Sequence, residues 1–118
     1  MSTRVDRIAQ ELQREVALII HQELKDPRLG FVTITRVELS NDLRYAKVRY
    51  SCLGGEAEQA RTQEALNRAA NFIHGLVKRR FRLKVIPELS FHYDASIEGS
   101  ISMMERLDQL DRPSTGEG

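Results

Sequence analysis

Apolar residues in the first part of the chain recur at steps of three and four, with polar and charged residues between them. This spacing predicts an amphipathic helix, with an apolar stripe of Val5, Ile8, Ala9, Leu12, Val16, Ile19, Ile20 and Leu24. Ser2 or Thr3 can cap its start, and Asp6 lies three residues after Thr3, as in a capping box. Because a proline disfavours helical geometry in the residue before it, Pro27 predicts that the helix ends near Lys25.

Two strands joined by a polar turn are predicted next. The segment Phe31–Leu39 is rich in Val, Ile and Thr, as strands are, but its apolar alternation changes phase halfway. A bulge near Thr35 or Arg36 would bring the apolar side chains to one face. The segment Tyr45–Cys52 alternates cleanly. The residues Ser40–Asp42 between the two segments favour a turn, and the short connection predicts an antiparallel hairpin.

A second helical region is predicted from about Glu56 to Phe81. Its apolar stripe consists of Ala65, Leu66, Ala69, Ala70, Phe72, Ile73, Leu76 and Val77. Asn71 has a low helix propensity, and Gly75 costs about 1 kcal/mol relative to alanine. We therefore expect a kink or a break in this region.

The order of elements predicts a single α+β domain. Leu89, Phe91 and Tyr93 alternate with polar residues, as in a third, half-buried strand. The order α-β-β-α-kink-α-β predicts a three-stranded sheet with the helices on one face, leaving Lys47 and Arg49 on the open face. A short C-terminal helix is expected from the apolar residues between 101 and 110. The domain then spans residues 1–111, and residues 112–118 form a disordered tail.

Charge is distributed unevenly along a nearly neutral chain. The 118 residues carry a formal net charge of +1, yet residues 1–93 have 16 basic and 11 acidic side chains, whereas residues 94–118 have two and six. A basic body with an acidic tail favours contact with nucleic acid through the body. The single cysteine, Cys52, suits a reducing cytoplasm. The longest apolar run, Val16–Ile20, is too short for a signal peptide or a membrane span.

No pattern of catalytic or metal-binding residues is present. The histidines His21, His74 and His92 are scattered over different elements, and one cysteine cannot supply a cysteine-rich zinc site. Phosphate loops, dinucleotide fingerprints and nucleophile elbows are missing. We therefore expect no enzyme activity, no cofactor and no small-molecule substrate.

The run Lys78–Lys84 has five basic residues in seven and is the strongest local signal. It fits a solvated helix end and an anion-binding face about equally well. The lack of acidic residues within it modestly favours anion binding. The candidate RNA-binding residues are Lys47, Arg49, Arg68, Asn71, His74, Lys78, Arg79, Arg80, Arg82 and Lys84. The first-helix arginines, Arg4, Arg7 and Arg14, are expected to contribute less, although the sequence does not fix how the helices are rotated. Phosphate contacts should outweigh base stacking, because the aromatic signature of an RNA recognition motif is missing.

The order of elements is that of a type II KH domain, but the chain has no Gly-x-x-Gly loop. It resembles the ribosome-binding factor A family over about residues 3–110. The segments that carry the resemblance, in their order and spacing, are Arg4–Ala9, Lys25–Gly30, Val37–Leu43 with Tyr45–Val48, and Leu83–Asp94. In that family an Ala-x-Gly kink replaces the loop, and here Ala69, Ala70 and Asn71 occupy those positions.

The resemblance implies a cytoplasmic, monomeric factor in the maturation of the bacterial small ribosomal subunit. Family members bind the 30S subunit, assist late processing and folding of its rRNA, support growth in the cold and do not cut RNA. An alternative is a protein-interaction adaptor that uses the apolar segment Ile101–Leu107 and the acidic tail. Salt dependence separates the two, because phosphate binding weakens steeply with salt whereas apolar docking does not.

Overall fold

The computed structural model describes residues 3–24, 26–29 and 32–95, which form two helices over a three-stranded sheet. In chain order these are helix α1 (Arg4–Glu23), a 3-10 turn (Pro27–Leu29), strands β1 (Thr33–Leu39) and β2 (Tyr45–Ser51), helix α2 (Glu56–Arg80) and strand β3 (Glu88–Tyr93). The α+β prediction is confirmed, and the architecture is consistent with a KH-like fold. The predicted C-terminal helix and the predicted tail at 112–118 lie outside the described residues.

Helix α1 begins with the predicted capping box. The backbone N–H of Thr3 donates to a carboxylate oxygen of Asp6 (3.2 Å), and the N–H of Asp6 donates to the hydroxyl of Thr3 (3.0 Å). Its inner stripe is buried, namely Ile8, Leu12, Val16, Ile19 and Ile20. The apolar face that the spacing predicted is therefore the face that α1 buries in the core.

The phase change in the first strand is a β-bulge, as predicted. The register between β1 and β2 shifts after Ile34, at Thr35. The side-chain amide of Gln13 donates to the carbonyl oxygens of Ile34 (3.4 Å) and Thr35 (3.3 Å), and the Thr35 hydroxyl donates to the Asp94 carboxylate (2.6 Å). The bulge allows the apolar side chains on either side of it to reach the core, namely Ile34, Val37 and Leu39.

Strand β2 is central, antiparallel to β1 and parallel to β3. Parallel strands need a crossover, which α2 provides while packing over β3; α1 packs over β1. Ala46, Val48 and Tyr50 of β2 are buried beneath the helices, whereas Tyr45 and Lys47 point to the exposed side. Both helices therefore lie on one face of the sheet, and the other face is open.

Helix α2 is continuous from Glu56 to Arg80. The kink predicted at Ala69, Ala70, Asn71 and Gly75 stays a prediction, but the alternative of a break into two helices is wrong. The reason is that one buried stripe, comprising Thr62, Ala65, Leu66, Ile73 and Val77, runs along the helix on both sides of these positions. Burying a large aliphatic side chain contributes roughly 1.5–3 kcal/mol, which outweighs the cost of one helical glycine.

The placement of Phe72 in the predicted apolar stripe is also wrong. Its side chain is 48% exposed, whereas the next residue, Ile73, is fully buried. The buried stripe of α2 is centred on Leu66, Ile73 and Val77, and Phe72 lies about 100° around the helix from Ile73, outside that stripe. The helix is rotated to bury Ile73, which leaves Phe72 on its outer side.

Candidate nucleic-acid interface

The outer side of α2 carries several of the predicted site residues. Arg68, Asn71, Lys78 and Arg79 are exposed, and His74 is half-buried beside them. Steps of three and four residues bring such positions to one side of a helix. Arg68 forms an ion pair with Glu64 (3.4 Å), but both side chains are well exposed, so this pair restrains them little.

Arg80 differs from its basic neighbours because its charge is paired with two carboxylates of α1. One terminal nitrogen lies 2.7 Å from a carboxylate oxygen of Glu15 and the other lies 3.3 Å from Glu23. The hydrogen bond to Glu15 raises the pKa of Arg80. Arg80 comes three residues after Val77 and seven after Ile73, so it continues the buried stripe of α2 and points to α1.

Four neighbouring cations have no such compensation. Lys78, Arg79, Arg82 and Lys84 are exposed, and within the described ranges none of them forms an ion pair. They follow one another along the end of α2 and the segment after it. Clustered cations that the protein does not neutralise are what a nucleic-acid backbone requires, because its phosphates must supply the missing negative charge.

A groove of about 400 Å³ separates α1 from the segment after α2. It is lined by Ile8, Glu11, Arg14, Glu15, Arg80, Phe81, Arg82 and Leu83. Arg14 of the first helix therefore shares this surface with Arg82. Arg4, Arg7 and Arg14 also line an adjoining depression. Arg14, which the sequence set apart, is thus next to Arg82, and Arg4 and Arg7 lie farther along α1. The packing angle of the helices, which the sequence does not give, brings Arg14 to this place.

Lys47 and Arg49 lie on the open face of the sheet. The core and the sheet separate this face from the outer side of α2, so these two residues do not flank the cations there. Arg49 is paired with Glu38 at 3.1 Å, and Glu38 also pairs with Arg36 at 3.2 Å. The predicted site is therefore divided into two charged surfaces. On the helix side four neighbouring cations have no ion pair among the described residues, whereas on the open face Glu38 neutralises part of the positive charge.

His92 lies beside these residues on the open face, opposite Arg49 in the parallel ladder. Burial lowers the pKa of His92, the charges of Arg49 and Lys47 lower it further, and Glu38 opposes them. The imidazole is therefore held toward its neutral form by its surroundings.

Other chemistry is scarce in the part of the chain that the structure describes. There, no group of three or more His, Cys, Asp or Glu side chains is arranged to hold a metal ion. Cys52 is half-buried and carries a free thiol. None of the helices described has the length and apolar character needed to cross a membrane.

The family model and similar known proteins indicate the same family. The family model for ribosome-binding factor A matches residues 4–107. Ribosome-binding factor A of Thiobacillus denitrificans is 41% identical over 105 residues, covering 89% of this chain and 85% of the relative. Its counterpart in Burkholderia thailandensis is 44% identical over 103 residues, covering 87% and 83%.

Solved structures agree with this assignment. The crystal structure of ribosome-binding factor A from Thermus thermophilus has a TM-score of 0.68 and 30% identity, covering 75% of this chain and 93% of that one. A homology model of the Thermus protein, fitted into a cryo-electron-microscopy map of its complex with the 30S subunit, gives a TM-score of 0.61 and 31% identity, covering 74% and 91%. The chain thus belongs to the ribosome-binding factor A family, whose members are binding factors and not enzymes.

Proposed function

We propose that this chain binds the small ribosomal subunit through its rRNA and assists late maturation of that RNA. The observation that carries the proposal is the group of uncompensated cations Lys78, Arg79, Arg82 and Lys84 at the end of α2. Arg68, Asn71 and His74 extend this surface along the helix, and Arg14 extends it across the groove. We call this set of residues the helix-side surface.

The relatives support the same partner. A homology model of the Thermus protein has been fitted into a map of its complex with the 30S subunit, and the crystal structure of the Thermus protein has the fold of this chain. By this proposal the chain acts in the cytoplasm as a monomer, without a cofactor or a small-molecule substrate, and supports growth in the cold. Its contribution is to hold a local rRNA conformation, because the helix-side surface offers cations and polar side chains but no catalytic constellation in the described residues.

The test is binding of the double variant Lys78→Ala/Arg79→Ala to purified 30S subunits, measured by co-sedimentation over a range of salt concentrations. Each lost phosphate contact should lower the affinity and flatten the salt dependence by about one unit in the slope of log affinity against log salt. Arg80 is left unchanged, because its removal would also loosen the contact between the helices.

The matched control is Arg44→Ala/Lys47→Ala, which removes the same charge from the sheet and its turn, away from the helix-side surface. It should leave 30S binding close to that of the unchanged protein. Purified 50S subunits serve as the second control and should bind weakly. Equal losses in the two double variants would show that the helix-side surface is not the binding face. Equal binding to both subunits would refute the choice of partner.

A further inference from the structure

Phe72 lies outside the buried stripe that α2 packs against the sheet. Its ring is about half exposed, on a helix whose core side is already filled by Leu66, Ile73 and Val77. Aromatic side chains are large and apolar, and exposing one to water forgoes the stabilisation that its burial would give.

Gly75 is a second unexplained feature on the same side of α2. A glycine in the middle of a helix is less favourable than alanine. Crowding does not require it, because a Cβ built on Gly75 meets nothing within 4 Å. Helical side chains lean back over the residues three and four positions earlier. A side chain at 75 would therefore extend into the space beside Asn71 and Phe72, and glycine leaves this space open.

Cations stand at both ends of this uncovered ring. Arg68, Phe72, Gly75 and Arg79 follow one another at steps of four, three and four residues, which places them along one line on the outer side of α2. Arg79 has no acidic partner among the described residues, and Arg68 has only a solvent-exposed one. The arrangement is an apolar, flat surface between two positive charges. It matches a nucleotide, whose base is flat and whose flanking phosphates are negative.

We propose that Phe72 stacks on an unpaired RNA base, in the space that Gly75 leaves open, while Arg68 and Arg79 contact the phosphates on either side. This inference rests on the proposed function and deepens it, because it names single-stranded RNA as the element that the helix-side surface recognises. A base within a duplex is covered by its neighbours and cannot reach the ring. The surface therefore distinguishes unpaired from paired RNA.

The test compares a short single-stranded RNA that carries one 2-aminopurine with a blunt duplex of the same strand. The unchanged protein should quench the 2-aminopurine fluorescence and prefer the single strand. Phe72→Ala should weaken single-strand binding about fivefold to a hundredfold. It should leave duplex binding and the salt slope unchanged, and Phe72→Tyr should restore the affinity and the quenching.

Gly75→Ala supplies an independent readout, since it affects folding and binding in opposite directions. It should raise the melting temperature, because alanine favours the helix. It should also weaken single-strand binding, because its methyl group occupies the open space. A purely structural role for Gly75 would not separate the two effects.

The outcomes separate this inference from the proposed function. If both RNAs bind with a steep salt dependence but Phe72→Ala binds the single strand like the unchanged protein, stacking is refuted and phosphate binding stands. If neither RNA binds, and 30S subunits do not bind either, both proposals fail. Gly75→Ala with unchanged single-strand affinity would refute the role given to the open space.

Discussion

Leu12 is fully buried at the centre of the core, among side chains from both helices and the sheet. Leu12→Ala should lower the free energy of unfolding by about 2–5 kcal/mol, through lost burial and the cavity left behind. Urea denaturation followed by circular dichroism measures this change.

Phe72→Ala is the natural comparison, because the sequence places both residues on apolar stripes. At about half exposure, Phe72 contributes little to the core, so its removal should cost less than about 1 kcal/mol. Equal losses in the two variants would contradict the rotation of α2 described above.

The two residues show what apolar periodicity can establish. Leu12 belongs to a stripe with regular steps, and such a stripe has one possible inner face. Phe72 and Ile73 are adjacent, and either of them could have been the buried one. Only the sheet beneath α2 decides between them. The inward position of Arg80 could have been predicted from the sequence, since its spacing from Ile73 and Val77 places it on the inner stripe.

The contact of Arg80 with Glu15 and Glu23 links the end of α2 to α1. Arg80→Ala should lower the urea midpoint of unfolding, with a larger loss at low salt than at high salt, because salt screens partly exposed ion pairs. Arg79→Ala, which removes an unpaired charge from the adjacent position, should change the midpoint much less. An identical loss at both salt concentrations would show that Arg80 acts through packing and not through charge.

The elements themselves followed closely from local pattern. The capping box of α1 and the bulge at Thr35 were both predicted, because each depends on residues only a few positions apart. The sequence predicted a kink or a break at Asn71 and Gly75, and so left the continuity of α2 open. This continuity depends on burial against a sheet that is formed by distant parts of the chain. Helix propensity reflects only local sequence and does not include such contacts.

The division of the site into two surfaces is a property of the whole molecule. Sequence alternation showed that Lys47 and Arg49 leave the core side of β2, and helical spacing did the same for Lys78 and Arg79. Neither pattern indicates that the core lies between these two pairs of cations. That follows only once both helices are known to cover the same face of the sheet.

The open face of the sheet gives the stability a dependence on pH. The pKa of His92 is lowered from the ordinary value of 6.5, so below 6.5 the unfolded chain binds protons more readily than the folded one. This histidine therefore lowers the free energy of unfolding as the pH falls from 6.5 through the folded pKa, and its contribution to the slope fades as the pH rises above 6.5. Urea midpoints of the protein and of His92→Asn, measured on both sides of that pH, should show a flatter dependence in the variant. An unchanged slope in His92→Asn would assign the effect to other groups.

The parallel pairing of β2 with β3 affects how the protein is made. Strand β3 begins only at Glu88, so a nascent chain holds β2 with one edge unpaired until residues 52–87 and then β3 have been synthesised. Such an edge is open to pairing with other chains. Long-range contacts of this kind also form late. The fold can therefore close only after β3 has been synthesised, and a chain released before Glu88 would be a substrate for aggregation and proteolysis.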